Sequence, residues 1–293
     1  MEAFLQFFET IPSSYRSILL ASGLLIFWLW EGAVPLFNFS FRRYRHLGLN
    51  LVFTLSTLIV NLSLAFLIVK SADWAQSQQF GIWHVLDVPL WLNMLVGVLT
   101  LDLIGAWLVH LVEHKVRWMW KFHLIHHTDT TVDVTTALRH HPGESIFRAL
   151  FTIAAVLIAG APIAVVFVYQ TASALFSQFN HANINFPRGL DRLLSYIVVT
   201  PHMHKVHHHY EQPLTDTNYG NIFSIWDRIF QTFAEVDDTS KLTYGIDTHM
   251  AASENDDLKN LLAIPFQAYR APDGSKFPSK DDFKGTPPPA DKA

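Results

Sequence analysis

The chain has 293 residues, of which 50% are apolar and only 16% charged, against roughly 25% charged in an ordinary soluble domain. This balance points to a membrane before any segment is read. A formal net charge of −4 leaves no basic surface of the kind that neutralises phosphates, so nucleic acid is excluded as a partner. With no cysteine in the chain, disulfides, iron–sulfur clusters and cysteine nucleophiles are excluded as well, and any metal must be held by nitrogen or oxygen.

In chain order, residues 17–37 form an apolar run interrupted by Glu31, and residues 49–69 form a second with no charge at all. Both match the length of about 20 residues that crosses a bilayer core. The first reads as a span rather than a signal peptide, because Glu2 and Glu9 stand where a basic leading region would be. Arg42, Arg43 and Arg45 follow the first span, whereas Lys70, Asp73 and Asp87 follow the second. By the positive-inside rule the arginine connector is cytosolic and the next loop is outside. The third span, residues 89–109 with Asp102 inside it, then returns inward and delivers His110 and His114 to the cytosolic surface. Lys115, Arg117, Lys121, Arg139 and Arg148 agree with that side. Residues 149–179 are a longer apolar stretch broken by Gly160, Ala161 and Pro162. From Leu242 the hydrophobic pattern fades, and residues 271–293 are a Pro, Lys and Asp mixture that cannot bury a core, so a largely disordered tail is expected there.

Histidine is the anomaly, with 16 in the chain. HLVEH at 110–114 sets two imidazoles at i and i+4 on one helical face, a weak signal alone. HLIHH at 123–127 adds i, i+3 and i+4, so three rings converge from one turn. HKVHH at 204–208 repeats the pattern. Solvated surfaces have no reason to repeat this spacing beside apolar spans, so the boxes read as metal ligands. Three ligands and a water complete a catalytic zinc, whereas eight or nine imidazoles suit two ions. Imidazole accepts zinc, copper, iron or nickel alike. The apolar surroundings imply a substrate whose C–H bonds yield only to an oxygen-activating redox metal, of which iron is the commonest.

On these residues the chain resembles the fatty acid hydroxylase and sterol desaturase superfamily of membrane di-iron proteins. The likeness extends from about Asp102 to Phe233 and includes the boxes above, TALRHHPGE at 136–144, FNHANINFP at 179–187, TPHMHKVHH at 200–208 and DTNYGNIFSIWDRIFQTF at 216–233. It implies metal ligands at His110, His114, His123, His126, His127, His181, His204, His207 and His208, holding two iron ions that cycle between Fe2+ and Fe3+. It also implies an O2-dependent hydroxylase or desaturase that abstracts hydrogen from an acyl chain or sterol-like ring. No iron–sulfur ligand set, GxGxxG fingerprint or haem domain is legible in the sequence, so electrons are expected from a separate reductase or small electron carrier docking near Lys115, Arg117 and Lys121.

Two further residues are candidates for contacts behind the ligands. Asp102 is costly in an apolar span and is expected to hydrogen-bond a ligand ring or make a helix contact. His141 precedes Pro142 and Gly143, a turn signal, and either completes a metal shell or supports a ligand. Glu113 reads as a solvated or ion-paired carboxylate at the membrane surface. His202 and His209 read as neighbours of the boxes, and His46, His84, His140 and His249 as polar surface. Asp216, Asn218, Tyr219, Trp226, Asp227 and Arg228 are expected to pack a cap over the metals.

If His127 and His181 share one site, the stretch 149–179 must enter the membrane and return. A single straight helix of about 31 residues would run roughly 46 Å and end on the wrong side. A helical hairpin is therefore expected, with arms of roughly 12 to 17 residues and its tip towards the outer leaflet. The expected fold is an all-α integral membrane protein with three transmembrane helices plus this hairpin and a cytosolic helical cap carrying the di-metal site. Residues 1–100 would form the N-terminal membrane helices, 101–240 the catalytic domain and 241–293 the tail, with the N-terminus outside. Two alternatives compete. HLVEH formally fits the HxxEH zinc-protease motif, which leaves the other boxes unexplained. A metal-binding or transport protein without catalysis would need ionisable residues along its spans, which are nearly bare.

Overall fold

The computed structural model describes residues 1–38 and 43–274; Arg42 and the tail from 275 onward lie outside the described residues. Every regular element is helical, and the described residues contain isolated bridges such as Pro35 with Ile184 but no named strand. After a short helix α1 (Glu2–Thr10) come α2 (Ser13–Ala33), α3 (Arg43–Ser77), a turn of helix α4 (Ile82–Val85) and α5 (Leu90–Asp102). A π-helical turn, Leu103–Leu108, joins α5 to α6 (Val109–Lys115) in one continuous rod, and α7 (Arg117–His127) turns back from its end. α8 (Pro142–Ala159) and α9 (Ile163–His181) follow, then the short helices α10 (Arg188–Leu194), α11 (Pro201–His207), α12 (Ile225–Ile229), α13 (Ala252–Asn255) and α14 (Leu258–Ala263).

Among the described residues, four helices are long and apolar enough to cross a membrane: α2, α3 with its extension, the Leu90–Lys115 rod and α8. Their outward faces fit lipid rather than water. On α3, Leu55, Ile59, Leu62 and Phe66 are each more than 60% exposed and fall at helical spacing, a continuous apolar stripe that a soluble protein would bury. The inward faces are close-packed: α3, α5, α8 and α9 meet around Ala72, Leu101, Ala155, Val156, Val165 and Tyr169.

α8 and α9 form the expected hairpin. Gly160 ends α8 in the left-handed conformation at φ 62°, and Pro162 precedes the first residue of α9. A side chain at Gly160 would collide with the carbonyl of Phe80, and one at Gly81 with the backbone of Gly160. The loop after α3 therefore crosses directly over the hairpin tip, where Gln76 also donates to the Gly160 carbonyl at 2.6 Å. The arms have 18 and 19 residues, about 27 Å each, longer than the sequence suggested. The helices continue beyond the apolar window into the polar ends at Glu144 and His181.

The boundary drawn at 241 also falls inside packed structure. Ile246, Leu261 and Ile264 join Phe53, Trp120, Leu124 and Ile125 in a buried cluster. These apolar residues are too sparse to show a period in the sequence, yet each lands on α3 or α7.

Candidate metal centre

Helix geometry brings nine histidines to one place. The ligand nitrogens of His110, His114, His123, His127 and His207 form one compact group and those of His126, His181, His204 and His208 a second, each group within 4.8 Å. Five of the nine come from the α6–α7 turn, where Val116 leaves helical conformation and lets α7 fold back on the rod. α11 begins at Thr200, whose hydroxyl accepts from the Met203 amide, with Pro201 in its first position. That start phases His204, His207 and His208 onto one face. α9 adds His181 at its last turn.

The distances within the second group carry the chemical argument. The Nε2 of His181 lies 3.0 Å from that of His126, 3.0 Å from that of His204 and 3.2 Å from that of His208. An imidazole nitrogen has either one lone pair or one hydrogen, so it satisfies one such neighbour and not three. Donors about 2.0–2.1 Å from a common ion lie about 2.9–3.4 Å apart in octahedral or tetrahedral arrangement. The observed spacing fits that. In the first group the Nε2 atoms of His110 and His123 are 3.0 Å apart, and Nε2 of His114, Nε2 of His207 and both nitrogens of His127 are buried with no hydrogen-bond partner among the described residues. Buried polar atoms without partners are costly unless an ion takes them up.

Outward-facing nitrogens fix several rings. Nδ1 of His110 donates to the Tyr219 carbonyl at 2.9 Å, that of His207 to the Thr217 carbonyl at 2.6 Å and that of His181 to the Ser177 carbonyl at 2.7 Å. His114 Nδ1 meets Asp216 at 3.1 Å and His123 Nδ1 meets Glu144 at 3.0 Å. Each contact leaves Nε2 directed inward. Burial, reinforced by neighbouring imidazoles, drives His126, His127, His204 and His208 well below the ordinary histidine range. Burial does the same for His123 and His207 despite the acidic groups beside them. The neutral, metal-binding form is thus the resting one. Burial raises Asp216, but hydrogen bonds from His114 and Lys115 outweigh it and hold the carboxyl below the usual range.

Several residues differ from their sequence reading. Asp102 does not reach a ligand ring: it accepts from the Ile222 and Phe223 amides and from the Trp226 indole at 3.0 Å. It pins the loop beyond Tyr219, whose carbonyl holds His110. Asp227 works alongside it, accepting from the Tyr219 and Gly220 amides. His141 belongs to neither ligand group; it caps α8 by accepting from the Gly143 amide at 2.9 Å. Glu113 is ion-paired but not solvated, fully buried with its Oε2 2.7 Å from Arg148. His140 is no isolated surface residue: it stacks on His126 with ring centroids 4.4 Å apart and binds Glu144 at 3.0 Å. His46 is buried and meets Asp129 at 2.9 Å. The basic residues proposed for docking are engaged by their own chain. Lys115 lies 2.5 Å from Asp216, Lys121 donates to the Gln267 carbonyl, and Arg117 lies over the Tyr269 ring.

Sequence reasoning missed the acidic backing of Glu113 and Glu144 around Arg148. Its signal was available in part, since His140, Glu144 and Arg148 fall at successive i, i+4 positions. A cavity of about 260 Å³ opens beside the histidines, lined also by Arg148, Tyr169, Ser173, Ser177 and Asn221.

The chain is similar to known proteins over the region that holds these histidines. Residues 94–232 match the fatty acid hydroxylase family. Ornithine lipid hydroxylase OlsE of Rhizobium tropici is 26% identical over 159 residues, covering 54% of this chain and 46% of that protein. Alkylglycerol monooxygenase of Caenorhabditis elegans is 28% identical over 189 residues, 64% of this chain and 35% of that protein. Cholesterol 25-hydroxylase-like protein 1, member 2, of Danio rerio is 27% identical over 128 residues, 43% of this chain and 45% of that protein. The matched region thus spans less than half the length of these relatives. No solved structure matches the chain.

Proposed function

We propose that this chain, similar to the fatty acid hydroxylase family over residues 94–232, is a multi-pass membrane oxidoreductase that hydroxylates a lipid, using dioxygen and a pair of iron ions. The observation that carries the reading is the convergence of three imidazole nitrogens on that of His181 at 3.0–3.2 Å, next to a cavity that opens between membrane helices. The relatives named as hydroxylases and monooxygenases favour insertion of oxygen over desaturation.

When bound, the metal pair would relay electrons from the donor and activate dioxygen, which no ordinary side chain does. The protein's own residues do the rest. His110, His114, His123, His127 and His207 would hold one ion, and His126, His181, His204 and His208 the other. The carbonyls of Tyr219, Thr217 and Ser177 and the carboxylates of Asp216 and Glu144 fix the rings. Glu113 is held by Arg148 and is not available as the general base that the zinc-protease alternative requires. Burial of the whole cluster keeps bulk water from the reacting carbon. Electrons come from a separate reductase or small carrier on the cytosolic face, where we place the centre by the charge of its flanking loops.

Comparative lipidomics of a deletion strain tests this directly. One hydroxylated lipid missing from the mutant and restored by the wild-type gene supports the reading. An unchanged lipid profile under conditions where the protein is made would overturn it.

A further inference from the structure

A second cavity adjoins the one beside the histidines. It measures about 560 Å³ and is walled by α3 from Thr54 to Ile68 and by the start of α8, with Leu20 of α2 closing one side. Apolar atoms make up most of its lining, with Thr54, Thr57 and Asn61 interspersed on the α3 wall, and Leu58 and Leu62 on its rim are 48% and 67% exposed on the lipid face of α3. It is therefore a groove open to the hydrocarbon of the membrane. Four residues line both cavities: His140, Arg148, Thr152 and Gln170. They form a polar throat between an apolar groove and the histidine centre.

The throat carries donors with nothing to bond. Arg148 commits its Nε to Glu144 and one terminal nitrogen to Glu113, each at 2.7 Å. Its Nη1 has no hydrogen-bond partner among the described residues, and its side chain stays 32% accessible. Gln170, on α9, has no side-chain hydrogen bond among the described residues either, although a sheltered amide is costly without one. An apolar wall alone would serve a plain hydrocarbon. A guanidinium edge and a free amide at one end of that wall serve a chain that ends in an oxygen. The throat is also close to the centre, since His140 stacks directly on His126.

Resting on the function proposed above, we propose that the substrate is a lipid whose alkyl chain lies in the α3–α8 groove and whose polar oxygen, a hydroxyl, ether or carbonyl, is held at the throat by Arg148 and Gln170. The carbons presented to the histidine centre are then those beside the polar end of the chain. The methyl end trails into the membrane. The position of oxidation is set by the polar anchor, because a featureless chain could slide in an aliphatic groove by one carbon at little cost.

A binding experiment tests this without turnover. The purified full-length protein in detergent is photolabelled with a hexadecanol analogue carrying a mid-chain diazirine, and adducts are mapped by mass spectrometry. Hexadecanol and hexadecane serve as competitors. Adducts are expected on α3 between Leu58 and Ile68, with hexadecanol protecting about tenfold better than hexadecane, the worth of a hydrogen bond to a charged donor. Gln170→Leu should narrow the preference to about threefold, the guanidinium of Arg148 remaining, while the adducts keep their positions. Ala65→Trp, which fills the groove, should abolish labelling, and Leu95→Trp on the lipid face of α5 should not. Adducts spread over α2 and α5, hexadecane protecting as well as hexadecanol, or a Gln170→Leu protein that keeps the full preference would each overturn the proposal. Because the readout is binding, a protein that shows the expected labelling but oxidises no lipid would refute the enzymatic reading and leave this site standing.

Discussion

His126 and His181 are separated by 55 residues and a complete membrane hairpin, yet their Nε2 atoms lie 3.0 Å apart. Such an approach is possible only if α8 leaves the histidine end and α9 returns to it. Cysteines placed at exposed Gly189 and Glu211 should therefore label from the same side of the membrane, and a cysteine at Asp87, in the loop that leads away from the hairpin tip, from the other. An impermeant maleimide applied to intact cells and to inverted vesicles checks this. Labelling of Gly189→Cys and Asp87→Cys from one side would refute the hairpin.

The carboxylate behind His114 gives a second prediction. Asp216 both orients that ring and pairs with Lys115, and loss of such a supporting carboxylate ordinarily lowers metal affinity by about 10–100-fold. Asp216→Ala should thus retain a folded protein by circular dichroism but release metal to a chelator at correspondingly lower concentration. Metal affinity equal to wild type would show that the contact is incidental.

Asp102 makes the third. It satisfies two loop amides and one indole in a site closed to water, and each orphaned buried donor costs about 1–3 kcal/mol. Asp102→Ala should lower stability by about 3 kcal/mol or more, seen as a clear fall in Tm. It should also loosen metal binding, because the loop it pins supplies the Tyr219 carbonyl to His110. A Tm within experimental scatter of wild type would contradict the assignment.

The pH dependence follows from His123, His126, His127, His204, His207 and His208, all depressed in the folded protein. Below the unfolded histidine value of about 6.5 the unfolded chain binds more protons than the folded one, so stability falls as pH falls. Above it the contribution is complete. The metal-free protein should therefore lose Tm steeply below about pH 6. A Tm that rises on acidification would reverse the sign and rule out neutral imidazoles.

How much of this was legible in the sequence depends on the range of the interaction. The histidine boxes and the Gly160–Pro162 break are local patterns, set by helical spacing and backbone geometry, and the structure places them as their spacing suggests. The partners of Asp102 lie about 120 residues away in the chain, and those of His46 lie in a loop 83 residues on. Nothing local encodes either pairing. Glu113 was read as surface because it sits at a span end, but Arg148 folds over it from α8. Residues 242–266 looked featureless because their few apolar side chains pack singly onto other helices.

The central claim is a paired metal centre built from nine imidazoles, and the direct measurement is elemental analysis of the purified protein beside its His126→Ala and His207→Ala variants, one from each ligand group. The account predicts about two iron atoms per chain in the wild type, the number that so many imidazoles suit, and loss of both iron and lipid oxidation in each variant. A single zinc per chain with full activity, or a variant that keeps its iron, would contradict it.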